Sequence, residues 1–80
     1  MKNEVIPMRI TYSKSADAAN IFLVDIKPGG IAKTHPCLIG KRKDMINLDF
    51  DKDGRLVSIE IMDASEVLPA EVLRSAKQIG

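Results

Sequence analysis

One cysteine, one histidine, one tyrosine, two phenylalanines and no tryptophan stand among the 80 residues of this chain. With Cys37 alone, no intramolecular disulfide can close a loop, so the fold must rest on packing, as a reducing cytosol permits. His35 is the sole histidine to act as a catalytic base, and no Gly-x-Ser-x-Gly elbow presents a serine to it, so a triad has no support. The three aromatics, Tyr12, Phe22 and Phe50, fall at inward or strand positions, which leaves no stacking platform for single-stranded nucleic acid. Charge of one sign is lacking too: 12 basic and 11 acidic residues leave a formal net charge of +1, too little for a field that draws in polyanions. The longest run of large apolar residues, Ile21-Phe22-Leu23-Val24, stops at Asp25, far short of the ~20 residues that cross a bilayer. Met1 to Pro7 places an acid and a proline where a secretory signal needs an apolar stretch, and reads as mature sequence of a cytoplasmic protein.

What is present is an ordinary globular balance, 45% hydrophobic and 29% charged. That suffices for one core in a chain so short that only ~60% of its unfolded surface is hidden on folding. One domain over residues 8–80 is expected, preceded by an extension over residues 1–7. Alternation with period two dominates the first three quarters. Met8, Ile10 and Tyr12 share one face of a strand against Arg9, Thr11 and Ser13. Ser13 to Ala19 is small and polar, suited to a tight turn or a single helical turn. Asn20 to Ile26 carries Ile21 and Leu23 on one face and Phe22, Val24 and Ile26 on the other, so both faces are apolar, as in a central strand. Lys27-Pro28-Gly29-Gly30 reverses the chain, and Ile31 to Leu38 reads as irregular edge structure because Pro36 suits only an edge or a bulge. Met45 to Phe50 and Val57 to Met62 alternate again and form a hairpin around Asp51-Lys52-Asp53-Gly54.

The period then changes. Leu68, Val72, Ala76 and Ile79 recur at three to four residues with Leu73 beside them, opposite Glu71, Arg74, Ser75, Lys77 and Gln78, which predicts an amphipathic helix. Pro69 suits its first turn, Lys77 its last, and Gly80 a left-handed cap. The expected fold is α+β: a small antiparallel, meander-like sheet with one C-terminal helix docked on one face through Leu68, Val72, Leu73 and Ala76.

Three segments together resemble the small prokaryotic proteins grouped as domain of unknown function 2283. Tyr12-Ser13-Lys14-Ser15-Ala16-Asp17-Ala18-Ala19-Asn20-Ile21-Phe22-Leu23 is similar to the family's opening tyrosine, polar residues, Ala-Asp-Ala and strand. Leu48-Asp49-Phe50-Asp51-Lys52-Asp53-Gly54-Arg55-Leu56-Val57 is similar to its Asp-Tyr-Asp-x-x-Gly-Arg hairpin. Ile59-Glu60-Ile61-Met62-Asp63-Ala64-Ser65, with Leu68-Pro69 after it, is similar to its closing strand and helix start. Ser58 stands where the family usually has glycine and Met62 where it usually has leucine. The resemblance implies a compact sheet-plus-helix domain but no activity. Members are similar in size to the accessory halves of two-gene modules, so an accessory or antitoxin-like role is what it adds.

Asp49, Asp51, Asp53 and Glu60, with Gly54 between them, match a calcium-loop pattern in full. Strand-like alternation on both flanks, where a paired-helix site needs period 3.6, argues instead for a metal-free hairpin turn. Thr34-His35-Pro36-Cys37 brings the only histidine and cysteine close together, but a tetrahedral zinc site wants three or four ligands, which leaves a site shared between two chains as the alternative to an edge histidine beside a small packed thiol. Glu60, Asp63 and Ser65 are candidates for a polar cleft where strand meets helix, although Asp63 and Ser65 also suit turns and caps. Lys41-Arg42-Lys43 reads as a solvated basic turn. Phe22, Val24 and Ile26 are the candidate interaction face, because one helix cannot cover both sides of the central strand.

No cofactor and no catalytic residue is expected. The leading expectation is a non-enzymatic interaction domain, a homodimer or the partner of a small protein, with the central sheet or the edge at Ile31 to Leu38 in the contact. The alternative is a small enzyme or ligand-binding protein that uses the acids near Glu60 and Asp63.

Overall fold

The structure, a computed structural model, describes residues 8–39 and 42–80, with the backbone alone for residues 38, 39 and 42–44. The extension over residues 1–7 and the basic side chains of Lys41-Arg42-Lys43 lie outside the described residues and side chains. Strands β1 (Arg9–Ser13), β2 (Ala18–Phe22), β3 (Lys33–Ile39), β4 (Arg42–Phe50) and β5 (Leu56–Met62) are followed by two short helices, α1 (Ala64–Val67) and α2 (Ala70–Ser75), and by β6 (Lys77–Gln78). All the strands join one sheet in the order β3-β4-β5-β2-β1-β6. The first five pair antiparallel, and β6 runs parallel to β1. The fold is α+β and dominated by its sheet.

Each turn has a local cause. Gly29 takes φ 77° behind Pro28, and the Gly30 N–H donates to the Lys27 carbonyl at 2.8 Å. Proline and then a positive-φ glycine are the two demands of a type II turn. At the β4–β5 hairpin Gly54 takes φ 79° and its N–H donates to the Asp51 carbonyl. The Asp51 carboxylate accepts the N–H groups of Asp53 and Arg55, each at 2.9 Å, the local side-chain capping that makes aspartate a turn former. The predicted hairpin is therefore present, three residues longer in β4 and one residue longer in β5 than expected.

Three elements differ from the sequence reading. The stretch from Lys33 is a paired strand, with Lys33 opposite Phe50 and Cys37 opposite Ile46 and a register shift between Cys37 and Ile39. Pro36 is accommodated because β3 is an edge, where a missing N–H need cost no ladder bond. The central strand is shorter than Asn20 to Ile26: β2 ends at Phe22 and a bend follows. The single C-terminal helix is two pieces. Leu68, held extended at φ −104° and ψ 147° ahead of Pro69, ends α1, as the residue before proline disfavours the helical region. Pro69 caps the start of α2, which stops at Ser75, with Ala76 extended.

Ser75 Oγ lies 3.0 Å from the carbonyls of both Glu71 and Val72, a back-bond that weakens a helix end. The chain beyond it joins β1 instead: the Ile79 N–H donates to the Tyr12 carbonyl, and the Gly80 carbonyl accepts from Lys14 and Ser15. Lys77 and Gly80 thus serve a strand and its anchor, not a helical last turn and cap.

Directly opposed residues of antiparallel strands share a face. The register places Ile10 and Tyr12, Ala19 and Ile21, Ile59 and Ile61, and Ile46 and Leu48 on one side. There Tyr12, Ala19, Ile61, Ala64 and Ala76 form the buried cluster, with Ile10, Ile21, Ile46, Ile59, Val67, Leu68 and Leu73 half-buried against it. The opposite side carries the row Thr11, Asn20, Glu60, Asn47 and, beside it, Arg9, Phe22, Ser58, Asp49, Thr34.

Candidate functional site

The polar side of the sheet holds the first cluster. Asp49, 8% exposed, accepts from Thr34 Oγ1 and Ser58 Oγ, both at 2.7 Å. Two charge-assisted hydroxyl bonds replace the water that burial removes from its carboxylate. Ser58 thus supplies half of the pairing. Asn47 Nδ2 donates to Glu60 Oε1 at 3.3 Å in the neighbouring row. Thr11 lies in that row too, and its buried Oγ1 has no hydrogen-bond partner among the described residues.

The second cluster lies where the β1–β2 turn meets α1. Asp17 adopts φ 50° and Asp63 φ 49°, left-handed conformations that aspartate tolerates better than most residues. The Asp17 carboxylate accepts the Tyr12 hydroxyl at 2.9 Å, the Ser65 hydroxyl at 2.6 Å and the Ser65 N–H at 3.0 Å, while its carbonyl accepts the Ala64 N–H. The Ser65 hydroxyl, then that of Tyr12, holds the Asp17 carboxyl below its ordinary range; burial opposes them and the Ser65 N–H assists. The same bond pushes the Tyr12 phenol up, aided by burial and by the charge of Asp17. Chemically this is a clasp: one carboxylate that accepts three hydrogen bonds fastens the start of α1 to the first hairpin.

The proposed polar cleft is not assembled. Glu60 faces the polar side of β5 and pairs with Asn47, whereas Ser65 is bound to Asp17 and Asp63 is exposed in the bend before α1. Nor do Phe22, Val24 and Ile26 form one strand face. Phe22 closes β2 with the Arg9 guanidinium 5.0 Å from its ring centroid, a cation–π contact. Val24 and Ile26 are half-buried in the segment beyond the strand.

Of the calcium-pattern acids, Asp49 serves the buried pairing above and Glu60 faces Asn47. Asp51 is engaged by the turn N–H groups and by Arg55 Nε at 3.2 Å, and Asp53 by Arg55 Nη2 at 3.1 Å. The Asp51 carboxyl is lowered chiefly by the Arg55 N–H, with burial opposing and the Asp53 N–H and the Arg55 charge and side chain adding to it. These acids cross-link a hairpin. His35 is exposed and Cys37 half-buried on β3. Sequence reading missed the partnership of Asp17 with Ser65, 48 residues apart; its one trace was the Ala-Asp-Ala and Ala-Ser of the family resemblance.

A six-stranded sheet with a thin helical layer on one side, a polar row on the other and a carboxylate clasp at the junction defines a small sheet-dominated α+β domain. No helix among the described residues is long and apolar enough to cross a membrane. The chain belongs to the family described as Protein of unknown function (DUF2283), whose model matches residues 9–65. The matched span begins with β1 and ends at Ser65, so it contains every member of the clasp and the whole β4–β5 hairpin. No curated protein and no solved structure matches the chain.

Proposed function

We propose that this chain is a non-enzymatic interaction domain that pairs with a second copy of itself through the part of the apolar sheet face beyond its helices. What supports the reading is how little large apolar volume one copy encloses. Among the described residues the buried hydrophobics are Tyr12, Ala19, Val57, Ile61, Ala64 and Ala76, and half of these are alanines. Ile46, Leu48 and Ile59 are only half-buried, although register places them in one cross-strand patch over β4 and β5. A twofold contact would lay that patch against its own copy, as isologous dimers do. A stable interface of this kind buries at least roughly 1,000 Å².

The face serves better than the edge. Pro36 gives β3 no N–H at that position and exposed Lys33 brings charge, two devices that discourage strand addition. Sedimentation equilibrium of the wild type and of Leu48→Lys tests the proposal. The wild type should sediment as a dimer, and Leu48→Lys as a monomer with an unchanged circular dichroism spectrum. A monomeric wild type at the highest concentration attainable would overturn it.

A further inference from the structure

We propose that the groove where β3 approaches the β4–β5 turn binds an aromatic phosphomonoester of small-molecule size, its ring on Phe50 and its phosphate between Lys33, His35 and Lys52. The groove encloses about 580 Å³ and is lined by Ala32, Lys33, His35, Phe50 and the turn residues Asp51, Lys52 and Gly54. That volume lies within the range of small-molecule sites. Lys33 stands directly opposite Phe50 in the ladder, so the two side chains rise from the same face. His35 follows two residues along, again on that face. The Ala32 N–H, bonded to the Phe50 carbonyl at 2.8 Å, fixes the wall on the β3 side. At Gly54 a Cβ would meet no atom within 4 Å, so the space above the turn is open to an incoming ring.

Charge selects the ligand. Among the described residues the side chains of Lys33, His35 and Lys52 have no hydrogen-bond or ion-pair partner. Asp51, the only acid among the described residues that line the groove, already accepts from Arg55 Nε and from the N–H groups of Asp53 and Arg55. The unpaired charge left in the groove is therefore cationic, supplied by ammonium groups with no arginine fork. Ammoniums act as compact point charges that suit phosphate, whereas planar carboxylates favour the bidentate fork. Arg55 is shared by Asp51 and Asp53, so the two lysines leave the groove and its turn a net charge of about +1, of the sign that attracts a phosphomonoester carrying about −1.5 to −2 at neutral pH. Phe50, half-buried at the end of β4, offers the apolar surface on which a flat ring stacks.

Nuclear magnetic resonance titration of the full chain tests this, with adenosine 5′-monophosphate, adenosine and inorganic phosphate as separate probes. The monophosphate should shift and saturate the amide signals of Ala32, Lys33, Asp51, Lys52 and Gly54 together with the His35 ring. Adenosine alone and phosphate alone should each bind about tenfold more weakly or worse, since each loses half of the contacts. A Lys33→Ala/Lys52→Ala variant, changed only at exposed positions, should keep its melting temperature and weaken the monophosphate by about tenfold. Absence of shifts at millimolar monophosphate, equal binding of phosphate alone, shifts centred elsewhere on the sheet, or tighter binding of a short oligonucleotide would each overturn the proposal.

Discussion

An Ile61→Ala variant loses three carbon atoms from the most enclosed large aliphatic side chain among the described residues of the sheet, which is 3% exposed. Ile61 lies between Ala19 on β2 and Ile46 on β4, and its other neighbours in the buried cluster are Tyr12, Ala64 and Ala76. Alanines have no side-chain rotamers with which to refill a void, so the cavity persists and the cost falls at ~3–4 kcal/mol within the isoleucine-to-alanine range. A domain of this length holds ~4–12 kcal/mol in total, and each kilocalorie moves the melting temperature by ~4–8 °C. The expected fall is ~12–30 °C. Leu73, half-buried on α2, should cost only ~1–2 kcal/mol when truncated to alanine, because less apolar area returns to water. Urea denaturation followed by circular dichroism, at one protein concentration for all variants because association contributes to stability, measures both. An unchanged midpoint for Ile61→Ala, or a larger loss for Leu73→Ala, would mean that the stability resides in the helices and not in the sheet centre.

Three further outcomes are expected. Ser58→Ala removes one of the two hydroxyls that serve the buried Asp49 carboxylate, and should lower the urea-derived stability by ~1–3 kcal/mol; a neutral result would contradict that pairing. Because the folded Asp17 carboxyl titrates below its ordinary value of 3.8, its contribution is present above that pH and lost as pH falls through the folded value. Acid unfolding should accordingly soften in Asp17→Asn, and a carboxyl signal of Asp17 titrating at or above 3.8 would refute the clasp. Micromolar calcium should leave the amide signals of Asp49, Asp53 and Glu60 in place, since their carboxylates already serve the hairpin, and large shifts in that sensor range would show a metal loop instead.

What could be read from the sequence was what neighbours decide. Period-two alternation and the Asp51 to Gly54 turn are local signals, and the β4–β5 hairpin follows from them. Leu68, Val72, Ala76 and Ile79 have helical spacing, yet Ile79 is 55% exposed and bonds its N–H to Tyr12. Spacing cannot reveal that the tail gains more as a strand beside β1. Pro36 hid β3 because a proline argues against a strand until its edge position is known. Phe22, Val24 and Ile26 were grouped by an alternation that the bend after Phe22 interrupts. The Asp17 clasp depends on a contact between distant segments, and no periodicity reports one.

The proposal that the half-covered sheet face is where two copies meet is most directly tested by isotope-filtered nuclear Overhauser spectroscopy on a mixed sample of labelled and unlabelled chains. Intermolecular contacts are expected among the methyl groups of Ile46, Leu48 and Ile59. A well-folded sample that shows no intermolecular contacts at millimolar concentration, or shows them only along β6 and the C-terminal tail, would contradict it.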